Sequence, residues 1–318
     1  MKTTSLGHLF HIGTIKMFMV VISLLNPTFS FIPQPLSTMS HLSNTSDFDS
    51  TQRAKDEYEK IAADYVSRFH QLDVVTDVEE YTLQKSLKAL VTTRLQGKAS
   101  FPKQLDLACG GGRFARRMKL EWQLVDSYHG VDLSPKMILQ AQSALAHPAV
   151  TFQVGDGTSG SGSSLTASPT TCAPLPFFCV MRPQGKCSLK CAGLFYVNLN
   201  PVSGVFLTSN ASPVQKLETY ESQIKYGYRK FFGPGVSKVQ DEIPDFTPFT
   251  VSFVKADRPT EVDFEFTNYY MREGTIFSAL KESGFRSVRF VKLEAVSNQE
   301  HFKDFLTWQP FVIIEALV

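Results

Sequence analysis

Three aspartates and one run of glycines hold the clearest chemistry in this chain. Asp106 lies in the apolar stretch Gln104-Leu105-Asp106-Leu107-Ala108, which leads directly into Cys109-Gly110-Gly111-Gly112. Asp132 closes the run Tyr128-His129-Gly130-Val131, and Asp156 with Gly157 closes Val150-Thr151-Phe152-Gln153-Val154-Gly155. Adjacent glycines remove the β-carbons from a turn, so the backbone can adopt positive φ and a ligand can approach the main chain. A helix starting just beyond such a turn offers unpaired N–H groups, a seat for a carboxylate or phosphate. A carboxylate at the end of the next strand is placed to accept hydrogen bonds from a ribose diol. A glycine turn alone also serves any tight connection, so the two strand-end acids decide the reading.

The elements that must position these residues are strands and helices in alternation. The apolar run, the glycines and Arg113-Phe114-Ala115-Arg116-Arg117 read as strand, turn and helix start in succession. After Asp132, Ser134 is placed as an N-cap with Pro135 at the first helical position, and the amphipathic run from Met137 through Leu145 stops at His147-Pro148. Repeated strand–helix units imply a parallel sheet with right-handed crossovers. Further along, Val205 to Asn210 reads as strand five, Glu273 to Ser283 as a helix ended by Gly284, Ser287 to Leu293 as strand six, and Phe311 to Leu317 as an antiparallel strand seven.

With these residues in place the chain resembles the class I S-adenosylmethionine-dependent methyltransferases, whose first motif is an acid, three residues and a glycine turn, here Asp106 through Gly112. The resemblance covers roughly residues 54 to 318, apart from 158 to 187. It implies an α/β fold, a Rossmann-like three-layer sandwich around a mostly parallel seven-stranded sheet, and S-adenosyl-L-methionine as cofactor. It assigns Asp132 to the cofactor's ribose and Asp156 with Gly157 to its adenine, with Asp106, Ala108, Cys109, Gly110, Gly112 and Leu133 completing the cofactor shell. A dinucleotide dehydrogenase would share the glycine turn and the ribose acid but would keep a longer G-x-G-x-x-G spacing. Here Arg113 and Phe114 fill that spacer and no glycine follows.

The remaining chain decorates this centre. At 318 residues and 43% hydrophobic content it can bury one large α/β domain. A formal charge of +2 gives no electrostatic footprint of the size nucleic acid demands. Arg113, Arg116, Arg117 and Lys119 cluster, but on one helix that spacing describes a solvated face. Residues 1–40 read as lying outside the fold: Met17 to Leu25 is an apolar run too short to span a bilayer but long enough for a signal-peptide core. Followed by Phe29, Phe31 and a Ser/Thr-rich stretch poor in acids, it resembles the bipartite leader of plastid proteins in algae with secondary plastids. The alternative is that translation begins at Met39, leaving a cytoplasmic protein.

From Thr51 to Phe69, Tyr58, Ile61, Ala62, Tyr65 and Phe69 recur at helical spacing, and Glu79 to Leu95 reads as a second helix. These residues resemble the amino-terminal cap of the toxoflavin-methyltransferase-like small-molecule group, in which capping tyrosines such as Tyr65 close over the sulfonium; packed surface tyrosines are the plain alternative. Residues 220–270 read as alternating strands with a hairpin at Asp257-Arg258-Pro259, a lid in that group. Tyr269 and Tyr270 are the candidates nearest the transfer point, on a small-molecule acceptor; His129 and His301 are weaker candidates for a base. The segment 158–187 is atypical. A Gly/Ser/Thr tract is followed by Pro174 to Met181 as the only candidate fourth strand, with Phe178 where the family has an aspartate. Either the loop has diverged or the chain is joined incorrectly across an exon boundary. Four of the five cysteines fall at 172, 179, 187 and 191, spaced unlike a zinc ribbon, so free thiols are expected and no metal. The rival reading is a non-catalytic Rossmann-like protein that binds the cofactor as a scaffold, favoured by the irregular fourth-strand region.

Overall fold

The computed structural model describes residues 18–23, 45–94, 102–155, 204–255, 258–297 and 300–318. A seven-stranded sheet forms the centre. Its strands in chain order are β1 (Phe18–Ser23), β2 (Lys103–Leu107), β3 (Ser127–Asp132), β4 (Val150–Val154) and β5 (Val205–Ala211), followed after the lid by β9 (Ser287–Val291) and β10 (Phe311–Leu317). The spatial order is β4-β3-β2-β1-β5-β10-β9. β2, β3 and β4 pair in parallel, whereas β1 pairs antiparallel with both β2 and β5, and β10 antiparallel with both β5 and β9. Five strands therefore run one way and two against them. The expectation of a mostly parallel sheet holds for strand direction but not for pairing, because each reversed strand makes both of its ladders antiparallel.

The position between β2 and β5 is the main departure from the sequence reading. Six of the residues set aside as a leader, Phe18–Ser23, occupy it, with Val21 opposite both Leu105 and Phe206. An apolar, β-branched run of this length has the composition of a signal core and of a strand buried on both faces, and periodicity cannot separate the two. β2 and β5 are buried along nearly their whole length and would otherwise present unpaired edges to each other. The expected fourth strand at 174–181, the amphipathic helix that the sequence predicts over 188–199 and the four clustered cysteines lie outside the described residues.

Two further layers position the site. A cap is formed by α1 (Thr45–Asp64), which continues as a π-helical turn over Tyr65–Phe69, and by a second π-helical stretch, Val74–Glu80, that runs into α2 (Tyr81–Arg94). The lid is a three-stranded antiparallel sheet of β6 (Tyr228–Phe232), β7 (Thr247–Val254) and β8 (Val262–Tyr270). Cap and lid share an aromatic core. Tyr65 packs against Phe69, Phe264 and Phe266, Phe69 meets Phe253 at 5.6 Å between ring centroids, and Phe253 stacks on Phe264 at 4.5 Å. Arg68 Nε donates to Asp263 Oδ2 at 2.6 Å across the same seam. On the other side of the sheet Leu105, Leu107, Val131, Phe206 and Ile314 pack with Ile276 and Leu280 of the helix Glu273–Glu282. Among the described residues no helix is long and apolar enough to cross a membrane, and no three His, Cys, Asp or Glu side chains gather as a metal site.

Candidate functional site

The site begins at the turn that leaves β2. Ala108, Gly110 and Gly112 all take positive φ, at 51°, 56° and 78°. Non-glycine residues enter this region at a cost, so Ala108 marks a strained exit from the strand. Gly112 is fixed by packing as well as by φ: a β-carbon there would lie 3.0 Å from Ala141 Cβ and 3.0 Å from Phe152 Cζ. At Gly111 a β-carbon would come within 2.7 Å of Val66, so the cap lies directly over the turn. The helix beyond is short, Arg113–Arg116, and passes into a π-helical turn over Arg117–Glu121.

Asp132 ties the two strand ends together. Its Oδ2 accepts from Gly110 N and its Oδ1 from Ser134 N, both at 2.9 Å, while Cys109 N donates to Val131 O at 3.0 Å. Ser134 caps the helix Pro135–Ala144 by accepting from Met137 N, as the sequence implies. The carboxylate is buried, and it binds the backbone both of the glycine turn and of the following helix cap. The turn, with its glycine backbone exposed by positive φ and a strand-end carboxylate bound to it, fits a nucleoside ligand.

Asp106 sits deeper. It is buried on β2, where Tyr128 Oη donates to its Oδ2, and burial pushes its carboxyl up to about 8 despite Tyr128 and the nearby Arg113. Leu133 is half-buried just past Asp132, and Cys109 is a buried thiol within the turn. Asp156 and Gly157 lie outside the described residues. Tyr65 is buried on the cap close enough to feel Arg113, Glu79 and Asp132, though desolvation dominates and raises its phenol well above the ordinary range.

The basic cluster read as a solvated face is only partly one. Arg116 is exposed, but Arg113 is buried: its Nη1 and Nη2 each lie 3.2 Å from Glu79 Oε2, its Nε lies 3.6 Å from Glu80 Oε1, and its guanidinium covers the ring of Phe114 at 4.3 Å. Arg117 completes the group at 2.7 Å from Glu80. Helical spacing shows only one helix's own face, and the acids come from the cap thirty residues earlier in the chain.

Between cap and lid lies a cavity of about 40 Å³. Its walls come from the cap (Tyr65, Phe69, Glu79), the end of β5 (Ser209, Asn210) and the lid (Tyr228, Lys230, Phe253, Phe266, Asn268). Tyr269 points into the core beneath the helix Glu273–Glu282, and Tyr270 packs on Phe232, 6.2 Å between centroids; neither lines the cavity. Tyr228, one of the lid aromatics expected to enclose an acceptor, does line it, as does Lys230, which nothing in the sequence singles out. His129 Nδ1 lies 2.6 Å from Thr151 Oγ1 between neighbouring strands, and its imidazole is pushed down by burial, a structural role. His301 lies against Asp73 at 2.8 Å on the surface.

Comparison with known proteins follows this geometry. Residues 105–170, spanning the glycine turn and all of the strand-end acids from Asp106 to Asp156, match the family described as methyltransferase domain. No curated protein matches. Solved structures that align include an S-adenosylmethionine-dependent methyltransferase from Mesorhizobium loti, 16% identical over 74% of this chain and 97% of that one with a TM-score of 0.43. A putative one from Listeria monocytogenes is 15% identical over 75% and 97%, with a TM-score of 0.46. The sugar N-methyltransferase KedS8 from Streptoalloteichus is 11% identical over 92% and 100%, with a TM-score of 0.37. Over residues 105–170 the chain thus carries a methyltransferase domain, that of an enzyme using S-adenosylmethionine as methyl donor.

Proposed function

We propose that this chain methylates a small molecule bound between cap and lid with its polar end in the cavity there, the acceptor class implied by its resemblance to the toxoflavin-type group. The observation that carries the reading is the cavity itself: it is small, walled by aromatic rings, and closed by two layers that pack on each other. A polymer needs an open, basic groove. Around the lid, Glu218, Glu221, Asp241 and Glu242 are exposed acids instead.

In this reading Gly110 and Gly112 let the cofactor approach the main chain, and Asp132 takes the ribose hydroxyls. Asp156 with Gly157 would take the adenine, and Ala108, Cys109 and Leu133 would wall the cleft. Asp106 would act from beneath, holding the strand through Tyr128, and Tyr65 would cover the turn from the cap. S-adenosylmethionine supplies an electrophilic methyl carbon on a sulfonium. The chain's task is to hold the acceptor atom in line with that carbon and to exclude water, which supplies most of the rate in a displacement of this kind.

The test is to offer labelled cofactor to small phenols, heterocycles and amines beside tRNA and protein extracts. Label is expected in the small-molecule fraction. Label confined to macromolecules overturns the reading.

A further inference from the structure

The polar side chains of the cavity are unevenly matched. Among the described residues Ser209 Oγ and Tyr228 Oη are buried without a hydrogen-bond partner, and both line it. Groups of this kind cost about 1–3 kcal/mol when left unpaired, so such a pair marks a place where a ligand atom belongs. Asn210 Oδ1 accepts from Ala211 N at 2.9 Å and Asn268 Oδ1 from Tyr269 N at 2.8 Å, which leaves each amide two N–H donors and one acceptor lone pair. Lys230 is buried and donates to Gln215 Oε1 at 3.0 Å and to Pro310 O at 2.7 Å. An ammonium has three hydrogens, so one remains.

The charged residues of the wall are Lys230 and Glu79. Glu79 is bound to Arg113 on the cap side, whereas the neighbours of Lys230 are neutral: the rings of Tyr220 and Phe311, 5.4 and 5.1 Å from Nζ. The other titratable groups of the wall are the phenols of Tyr65 and Tyr228, both pushed up by burial. The cavity therefore offers donors from lysine, tyrosine, serine and two asparagines, with a single carboxylate already engaged. Its volume is on the order of a few water molecules, the size of a polar head rather than of a whole ring.

We propose that the acceptor presents an acidic oxygen, a carboxylate or an acidic hydroxyl on a flat ring, to the donor cluster of Lys230, Tyr228, Ser209 and Asn268. The proposal rests on the small-molecule reading above. The acidic head enters the cavity, where Lys230 neutralises its charge and the rings of Phe69, Phe253 and Phe266 screen it from water. Burial lowers the Lys230 ammonium to about 7, so it carries its charge below that pH and sheds it above. A carboxylate that binds only the ammonium form must therefore bind more weakly as pH rises past 7.

The test uses the full chain loaded with S-adenosylhomocysteine and titrated by calorimetry with benzoate, 4-nitrophenol, benzylamine and toluene. Benzoate or 4-nitrophenol is expected to bind at least about tenfold more tightly than the other two; which of them leads tells carboxylate from acidic hydroxyl. Benzoate affinity should fall several-fold from about pH 6 to about pH 8 and become flat in Lys230→Met, with the preference lost. Tyr228→Phe and Ser209→Ala should each weaken the acidic probe several-fold, and they carry the test should Lys230→Met not fold. Equal or tighter binding of benzylamine or toluene, no binding of any probe, or variants indistinguishable from the parent overturns the proposal. Failure to bind S-adenosylhomocysteine strikes the cofactor reading instead, so the two failures are distinguishable.

Discussion

At the scale of single residues, the chemistry divides by how local its cause is. Asp132 was legible because a strand end, a glycine turn and an N-cap serine are all written within thirty residues, and the structure puts its carboxylate on Gly110 N and Ser134 N. Asp132→Ala removes both acceptors at once. Affinity for S-adenosylhomocysteine is expected to fall by about 1.5–3 kcal/mol, the worth of hydrogen bonds to a charged group, roughly a ten- to hundredfold change by calorimetry. Unchanged affinity would take the ribose from Asp132. Asp106 was legible as a motif position but not as a buried acid, since Tyr128 reaches it from the next strand. Its carboxyl is raised to about 8, so the folded chain holds a proton that the unfolded chain releases near pH 4. This group's contribution to stability is therefore greatest at low pH, declines as pH rises toward 8, and levels off above. Asp106→Asn keeps an acceptor for Tyr128 and carries no charge, so its melting temperature should change less than the parent's between about pH 5 and pH 8. Identical profiles would mean that Asp106 is not the group responsible. Lys230 escaped notice because one lysine within Tyr-Arg-Lys-Phe-Phe looks like the polar position of a strand; only the packing of β10 against the lid buries it.

Elements were legible where a period repeats within them. The helix Pro135–Ala144, β3, β5 and β10 fall where alternation or helical spacing puts them, give or take a residue, and the lid strands are displaced from their expected bounds by up to three residues, β7 beginning at Thr247 rather than Thr250. The cap helices begin earlier than their periodic residues, at Thr45 rather than Thr51 and at Val74 rather than Glu79, and their junctions at Tyr65–Phe69 and Val74–Glu80 are π-helical, a local widening that no side-chain period encodes. The partner of a strand is less legible than the strand, and Phe18–Ser23 is the case in point. Its apolar run says that it must be buried and nothing about where. In the sheet it supplies ladders to both β2 and β5, so a chain beginning at Met39 leaves two buried strands with unpaired edges in the middle of the molecule. Such a chain is expected to lose its cooperative melt or to melt several degrees lower. An unchanged melting curve would mean that this run does not hold the sheet together and would return it to the role of a leader.

At the scale of the whole molecule, the question is what keeps the cap seated over the glycine turn. Aromatic packing joins cap to lid, and the junction of cap to sheet adds a buried ionic cluster to its apolar contacts: Glu79 and Glu80 from the cap meet Arg113 and Arg117 from the helix after the turn, with the side chains of Arg113 and both glutamates almost wholly buried. Burial pushes the Glu80 carboxyl up, while Arg113 and Arg117 oppose that shift. A buried ion pair is weak evidence for stability, because desolvation offsets much of the attraction, yet removing one partner strands the other. Arg113→Ala leaves Glu79 without its cation and Glu80 with only the half-exposed Arg117. The expected loss is about 3–5 kcal/mol of unfolding free energy, read from urea denaturation. Replacing Arg113, Glu79 and Glu80 together by Met, Leu and Leu should recover much of that loss, since no buried charge is then left unpaired. If the junction also holds the cap over the turn, Arg113→Ala will weaken S-adenosylhomocysteine binding while the triple variant restores it. A triple variant that is stable but still binds poorly would assign the charges themselves, rather than the seating of the cap, to the cofactor.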